Sequence, residues 1–578
     1  MIRKFKASQW SFDISRTILS TKVTQSSKSL TVITNHVKQS TPAAYVPITS
    51  DHLKNQRTNG APNKLSYPDV YSCTKIIQGH LRNNRLNHAL KLFDEMPVRD
   101  QVTWNSMIKG CFDCDNLQLG FKLFDEMPEK NVISWTTMVN GLLTYGRIET
   151  AENFFKDMPL KDEPAYNSMI YGYLTNGRVE DAVKLFDKMP NRSVISWTSM
   201  IKGLDLAGKS KDSLFFFKKM LLTSIQPTAF TFSSAITACT NEKDFHLGLK
   251  IHGHVVKLGY LSDTYITSPL ITFYAHFKDT NSFQKLFNEK SHTSVVIWTS
   301  LLTGYSLNSK HDMALEVFST MLRSKILPNQ SSFTSALNSS YELEDLEKGK
   351  EIHGVAIKLG LDTDIFVGNS LIVLYNKCGI IRDGLSVFKQ IPEKNIVSWN
   401  SMIVGCAQNG YGIWGLILFN QMIRKGKLNE IDDITFTGLL SGCSRSGMLQ
   451  KGRHVFYYLL HHKYVNVKLE HYACMVDILG RSGQLNEAEE LINSMPMEPN
   501  KSIWLSLLSA CKMHSNLKMA ERVSKIVFDL DHDCSAAYTL LSNLYAFSGR
   551  WNDVSRVREL MESRGIVKDP GYSLDKTF

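Results

Sequence analysis

From residue 70 onward the apolar positions recur at helical spacing, in short blocks broken by the same turn signals. In 163–193, YNSMIYGYL puts its apolar side chains on one helix face, TNGR supplies a turn, and VEDAVKLFDKM forms a second amphipathic helix stopped by Pro190. The block predicts helix, turn, helix. The strings KLFDEMP, KLFDEMP, NFFKDMP and KLFDKMP end at Pro97, Pro128, Pro159 and Pro190, each 31 residues after the last. Trp104, Trp135, Tyr166 and Trp197 keep the same spacing, and the next comparable aromatic, Phe232, follows 35 residues later.

Registering on these marks gives units 70–100, 101–131, 132–162, 163–193, 194–228, 229–263, 264–294, 295–329, 330–364, 365–395, 396–432, 433–468 and 469–500, with degenerate units 501–534 and 535–568. The tenth residue is Gly in eight of them (Gly79, Gly110, Gly141, Gly172, Gly203, Gly304, Gly405, Gly442), which predicts close helix approach. The fifteenth is Gly at 146, 177, 208, 379, 410, 447, 483 and 549, suited to a left-handed C-cap. One hairpin cannot bury its apolar face alone, so neighbours must stack. The expected fold is all-α, an alpha-solenoid. The expected organisation is a leader over 1–69, a repeat array over 70–500, and degenerate repeats with a tail over 501–578.

Composition changes this picture in two places. The net charge of +11 is uneven: residues 1–69 hold ten bases and three acids, while the rest is nearly neutral at +4. Global electrostatics therefore does not argue for nucleic acid. The first 50 residues carry Asp13 as their single acid, seven bases and 16 Ser and Thr. That is the composition of an organellar transit peptide, and bases this early favour a mitochondrion over a chloroplast. No run of 18 apolar residues predicts a membrane span.

Chemical motifs dissolve into the repeat. GLDLAGKS, Gly203 to Ser210, fits the phosphate-loop spacing, but its glycines are the tenth and fifteenth residues of a unit, so helix and turn replace the strand and loop a phosphate cradle needs. Cys111 and Cys114 form a lone C-x-x-C; Cys111 is an eleventh residue, as are Cys239, Cys406, Cys443 and Cys511, which reads as packing rather than metal binding. Cytidine deaminases of the zinc class need H-x-E with P-C-x-x-C, and none of the 17 His is followed two residues later by Glu. No enzyme, catalytic residue, metal or cofactor is expected of these residues.

The repeat resembles the pentatricopeptide repeat (PPR) family. Its 35-, 35- and 31-residue triplets are similar to the plant PLS subclass. LEHYACMVDILGRSGQLNEAEELINSMPMEPN resembles the terminal short repeat, and the segments from WLSLLSACKMHSNLKMAE to RGIVKDPGYS resemble the C-terminal E motifs. The resemblance implies a right-handed superhelical solenoid that reads single-stranded organellar RNA, one base per unit. The longest relatives continue into a deaminase domain ending Asp-Tyr-Trp where this sequence reads PGYSLDKTF. The resemblance thus implies either recruitment of a deaminase-bearing PPR protein and organellar editing factors in trans, or a shortened form of a longer protein.

In that family the second residue of a unit wedges beside the base, and the fifth and last residues meet its edge. The second is apolar in most units: Tyr71, Val102, Ile133, Ile195, Phe230, Tyr265, Val296, Phe366, Val397 and Ile434. Ionised Asp only accepts hydrogen bonds and suits G and U, which present an imino N–H, whereas Asn also donates and suits A and C. By the resemblance Thr74 with Asp100 reads G, Asn105 with Asn131 a pyrimidine, Thr136 with Asp162 G, and Asn167 with Ser193 C. Thr299 with Asn329 reads A, Asn369 with Asn395 a pyrimidine, and Asn400 with Asp432 U. The ligand then runs G, pyrimidine, G, C, three unread, A, one unread, pyrimidine, U from the N-terminal unit. The plainer alternative is that Asn, Thr and Asp here are helix caps.

The expected function is site recognition for C-to-U editing. Its competitors are an RNA stability, splicing or translation factor, and a protein-binding helical scaffold.

Overall fold

Fifteen first helices begin on the residues 70, 101, 132, 163, 194, 229, 264, 295, 330, 365, 396, 433, 469, 501 and 535, and each is followed by a second helix. This computed structural model describes residues 69–289, 294–462 and 465–567. Those residues hold thirty α-helices, two single 3₁₀ turns and no strand. Leader residues 1–68 and the last eleven residues lie outside them. No helix among the described residues is long and apolar enough to cross a membrane.

The last residue of one unit starts the next helix. Asp100, Asn131, Asp162, Asn329, Asn395 and Asp432 each accept the backbone N–H three residues on. Such caps satisfy an otherwise orphan donor and contribute about 1 kcal/mol each.

The turn between the two helices is uniform. The fifteenth residue has positive φ in every unit, whether Gly (Gly177, φ 77°) or not (Asn84, Asp115, Lys243, Lys278, Ser309, Glu344 and Ser515, φ 53–61°). This left-handed residue closes the first helix and lets the second fold back.

The tenth-residue glycines have a specific neighbour. A Cβ on Gly110 would lie 2.4 Å from Leu81, on Gly141 2.4 Å from Phe112, on Gly172 2.4 Å from Leu143 and on Gly405 2.0 Å from Asn376. In each case the neighbour is the twelfth residue of the preceding unit. At Gly79, in the first unit, a Cβ would meet nothing within 4 Å. The eleventh-residue cysteines are buried, and burial pushes the Cys111 and Cys443 thiols up to about 12.

Hairpins also join through aromatic pairs. The ring of the second-helix Phe meets the fourth residue of the following unit edge-on: Phe93 with Trp104, Phe124 with Trp135, Phe186 with Trp197 and Phe388 with Trp399, at 4.9–5.1 Å. The described residues divide into two compact bodies, 69–310 with 320–327, and 311–319 with 328–567. Each is a stack of these hairpins.

Candidate nucleic-acid interface

The apolar second residues stand in solvent. Tyr71, Val102, Ile133, Ile195, Phe230, Tyr265, Val296, Phe366, Val397 and Ile434 are 47–65% exposed, although other apolar residues of the same helices, such as Ile77, Met107 and Trp399, are buried. Ten large apolar side chains held out in register form an apolar row within each body, not scattered surface residues.

Beside them the fifth residues are half-buried or buried. Thr74 is 5% exposed, Asn400 6% and Asn369 9%. Asn400 Nδ2 donates to both carboxylate oxygens of Asp432, at 2.8 and 3.0 Å. Asn369 Nδ2 reaches Asn395 Oδ1 at 3.4 Å. Thr74 and Asp100 meet through a third group: the Thr103 hydroxyl lies 2.7 Å from Thr74 Oγ1 and donates to Asp100 Oδ1 at 2.6 Å. These three pairs are brought together.

The other pairs are held separately. Thr136 Oγ1 donates to Val132 O at 2.8 Å, and Asp162 caps Ala165. Ser193 donates to Glu163 Oε1, and Asn167 is not its partner. Asn131 Nδ2 donates to Gln101 Oε1 at 2.7 Å rather than to Asn105. Thr299 and Asn329 fall in different bodies; Thr299 donates to Val295 O and Asn329 caps Ser332. The buried carbonyl oxygens of Asn105, Asn167 and Asn369 have no hydrogen-bond partner. A buried amide oxygen left unmatched costs about 1–3 kcal/mol, which an incoming donor recovers.

Two sets of residues escaped the sequence reading. Buried hydroxyls at the third position, Thr103, Ser134, Ser332, Ser398 and Thr435, donate to the preceding cap oxygen. The signal was present: Ser or Thr three residues after Asp or Asn. First residues of a unit also bond its last, as Gln101 does Asn131, Gln330 does Asp364 at 2.5 Å, and Asp433 does Lys468. The Lys468 ammonium beside it holds the Asp433 carboxyl below its usual range.

The phosphate-loop string lies as the repeat dictates, with Gly203 inside the helix Val194–Leu206 and Gly208 in the left-handed turn. Cys111 and Cys114 are free thiols. Among the described residues no three His, Cys, Asp or Glu gather into a metal-binding group.

The PPR repeat matches residues 71–100, 102–132, 133–162, 397–426, 434–462 and 470–498. The PPR repeat family matches 161–195 and 293–340, and the E motif matches 514–574. A pentatricopeptide repeat-containing protein of Arabidopsis thaliana, named as mitochondrial, is 54% identical over 357 residues, 61% of this chain and 51% of that protein. Another from the same plant, named as chloroplastic, is 38% identical over 356 residues, 61% of this chain and 48% of that protein. The chain thus spans about half the length of the curated relatives it matches. The crystal structure of the pentatricopeptide repeat protein PPR10 with an 18-nucleotide psaJ RNA element has a similar fold, with TM-score 0.56 and 17% identity over 88% of this chain and 81% of that one. Each body is therefore an all-helical stack of hairpins, PPR repeats are found at the residues matched and an E motif at 514–574, and the relatives named here are pentatricopeptide repeat-containing proteins.

Proposed function

We propose that this chain is a sequence-specific single-stranded RNA-binding factor for organellar transcripts, and that it selects sites for C-to-U editing by a deaminase supplied in trans. The observation that carries RNA binding is the series itself: an exposed apolar second residue beside a buried or half-buried polar fifth and a capping last residue, repeated in register. The exposed row offers faces for bases to lie against, and the polar set offers donors and acceptors to their edges. The RNA-bound PPR10 structure supports the same reading.

The finer parts rest on sequence. The 35-, 35- and 31-residue triplets of PLS type and the E motif at 514–574 support editing. The three-part division, leader 1–69, array 70–500 and E-type end 501–578, belongs to this proposal. So does a mitochondrial location, supported by the basic, acid-poor leader and by the relative named mitochondrial. The proposal takes the deaminase chemistry from a deaminase-bearing PPR protein, with organellar editing factors as further partners, a reading supported by the E motif at 514–574.

The test is selection of binders from a random single-stranded RNA pool at fixed salt, using residues 70–578. The expected order is G, pyrimidine, G, C, then A, then pyrimidine, U, with an editable cytidine four nucleotides past the last repeat's base in the matching transcript. No enrichment from a folded sample rejects RNA reading. Enrichment on transcripts whose edited bases persist without this protein rejects editing and keeps RNA binding.

A further inference from the structure

In five 31-residue units the residue just before the last is a base: Arg99, Lys130, Lys161, Arg192 and Lys394. Each turns back onto the end of its own second helix. Arg99 donates to Phe93 O at 2.7 Å and to Asp94 O at 3.0 Å. Arg192 repeats this on Phe186 O and Asp187 O at 2.9 and 2.8 Å. Lys130 donates to Met127 O and Lys161 to Met158 O, both at 2.9 Å, and Lys394 donates to Ile391 O at 2.5 Å. These carbonyls lie at or just past a helix C-terminus, where partners are missing and the dipole favours a cation.

The same cation lies over the ring of the twenty-fourth residue, always Phe, at 4.7–5.5 Å from its centre. That Phe is the one that meets the next unit's fourth residue edge-on. One side chain therefore ties the loop to the helix behind it and, through the ring, to the helix ahead. The next residue in the chain is the last residue of the unit, whose side chain is assigned to the base edge. None of the 35- to 37-residue units carries a base at this place, and the 31-residue unit 264–294 has Thr293 there.

We propose that these five cations are positioning residues for base reading: each fixes the loop so that the last residue meets its base already ordered. This rests on the RNA reading above. An ordered reader avoids the loss of freedom that a loose loop would suffer on binding, and it holds the geometry that discriminates one base from another.

The test compares the full chain with Arg99→Met and Arg99→Lys, binding RNAs that differ only in G or A opposite unit 70–100. Loss of the clamp is expected to lower the preference for G about three- to tenfold. The preference opposite unit 163–193 should persist, and Lys should restore the first. Amide exchange of Thr103, held by Asp100 Oδ1 at 2.8 Å, is read in parallel without RNA and should quicken in Arg99→Met while Ser134 does not. Unchanged exchange at Thr103 overturns the clamp. Full retention of the preference, or equal loss at both nucleotides, overturns positioning. A wild type without base preference whose Thr103 still responds rejects the RNA reading and leaves the clamp purely structural.

Discussion

The amide of Asn400 and the carboxylate of Asp432, 32 residues apart, are joined by two hydrogen bonds from one nitrogen. The Thr435 hydroxyl, 2.7 Å from Asn400 Oδ1 and 2.8 Å from Asp432 Oδ1, shares its one proton between them, so the fifth residue of one unit is locked between the cap and the third residue of the next. The cap keeps its own duty, accepting Thr435 N–H at 2.9 Å. Asn caps a helix about as well as Asp, so Asp432→Asn should leave the melting temperature nearly unchanged. It should move the preference opposite this unit from U toward C by roughly tenfold, because the replacement can donate where the carboxylate only accepted. Competition binding with RNAs differing at that nucleotide decides it; an unchanged U to C ratio would show that the pair is only a cap.

The same register position has opposite sensitivities at two places in the stack. Gly405→Ala would put a Cβ 2.0 Å from Asn376 Nδ2, an amide already bonded to Ser401 O at 3.0 Å. Overpacking there should cost about 1–3 kcal/mol. Gly79→Ala meets open space and gains helix propensity of about 0.8–1 kcal/mol. Urea unfolding of the two variants should therefore shift in opposite directions. A common direction would mean that the contact with the preceding unit's twelfth residue does not set the glycine requirement.

Much of this was legible because a repeat multiplies weak signals. Gly177 alone is an ambiguous turn; eight glycines at one register position fix the turn, and the structure places Lys243 and Glu344 in the same left-handed conformation. Nothing in Lys or Glu announces that conformation, so only the register could have located those two turns. The exposed second residues were readable by their position, against the rule that apolar side chains go inside. Direct pairing was not. Thr74 reaches Asp100 through Thr103, and Asn131 turns to Gln101, because short polar side chains choose among several neighbours by tenths of an ångström. Spacing along a chain does not carry that information.

Acid should weaken the fold through two repeated pairs. His252 Nδ1 lies 2.6 Å from the Tyr274 hydroxyl and His353 Nδ1 2.8 Å from that of Tyr375, one histidine in each of two 35-residue units. Burial pushes both imidazoles below their ordinary value; Glu289 offsets this at His252, and Asp362 and Asp383 offset it at His353. The unfolded chain takes up these protons near pH 6.5 while the fold resists them. Stability is therefore full above that pH and falls as pH drops through it. The melting temperature should be lower at pH 5.5 than at pH 7.5, and His252→Gln with His353→Gln should remove much of the difference, since Gln bonds a hydroxyl without titrating. An equal drop in the double variant would assign the effect to other groups.

The sharpest test of base reading rewrites one unit. Thr299 donates to the carbonyl one turn back and Asn329 caps the next helix; neither contributes an apolar side chain to the core. Changing them together, Thr299→Asn with Asn329→Asp, keeps a capping residue at 329 and a hydrogen-bonding residue at 299, so the fold should hold to within about 1 kcal/mol. The pair then carries the same residues as Asn400 and Asp432. Preference opposite this unit should move from A toward U, with the other nucleotides unaffected. Parallel selections on wild type and the double variant read the change directly. Identical selected sequences would mean that these two positions do not touch the base, and the assignment of every other unit by the same rule would fall with them.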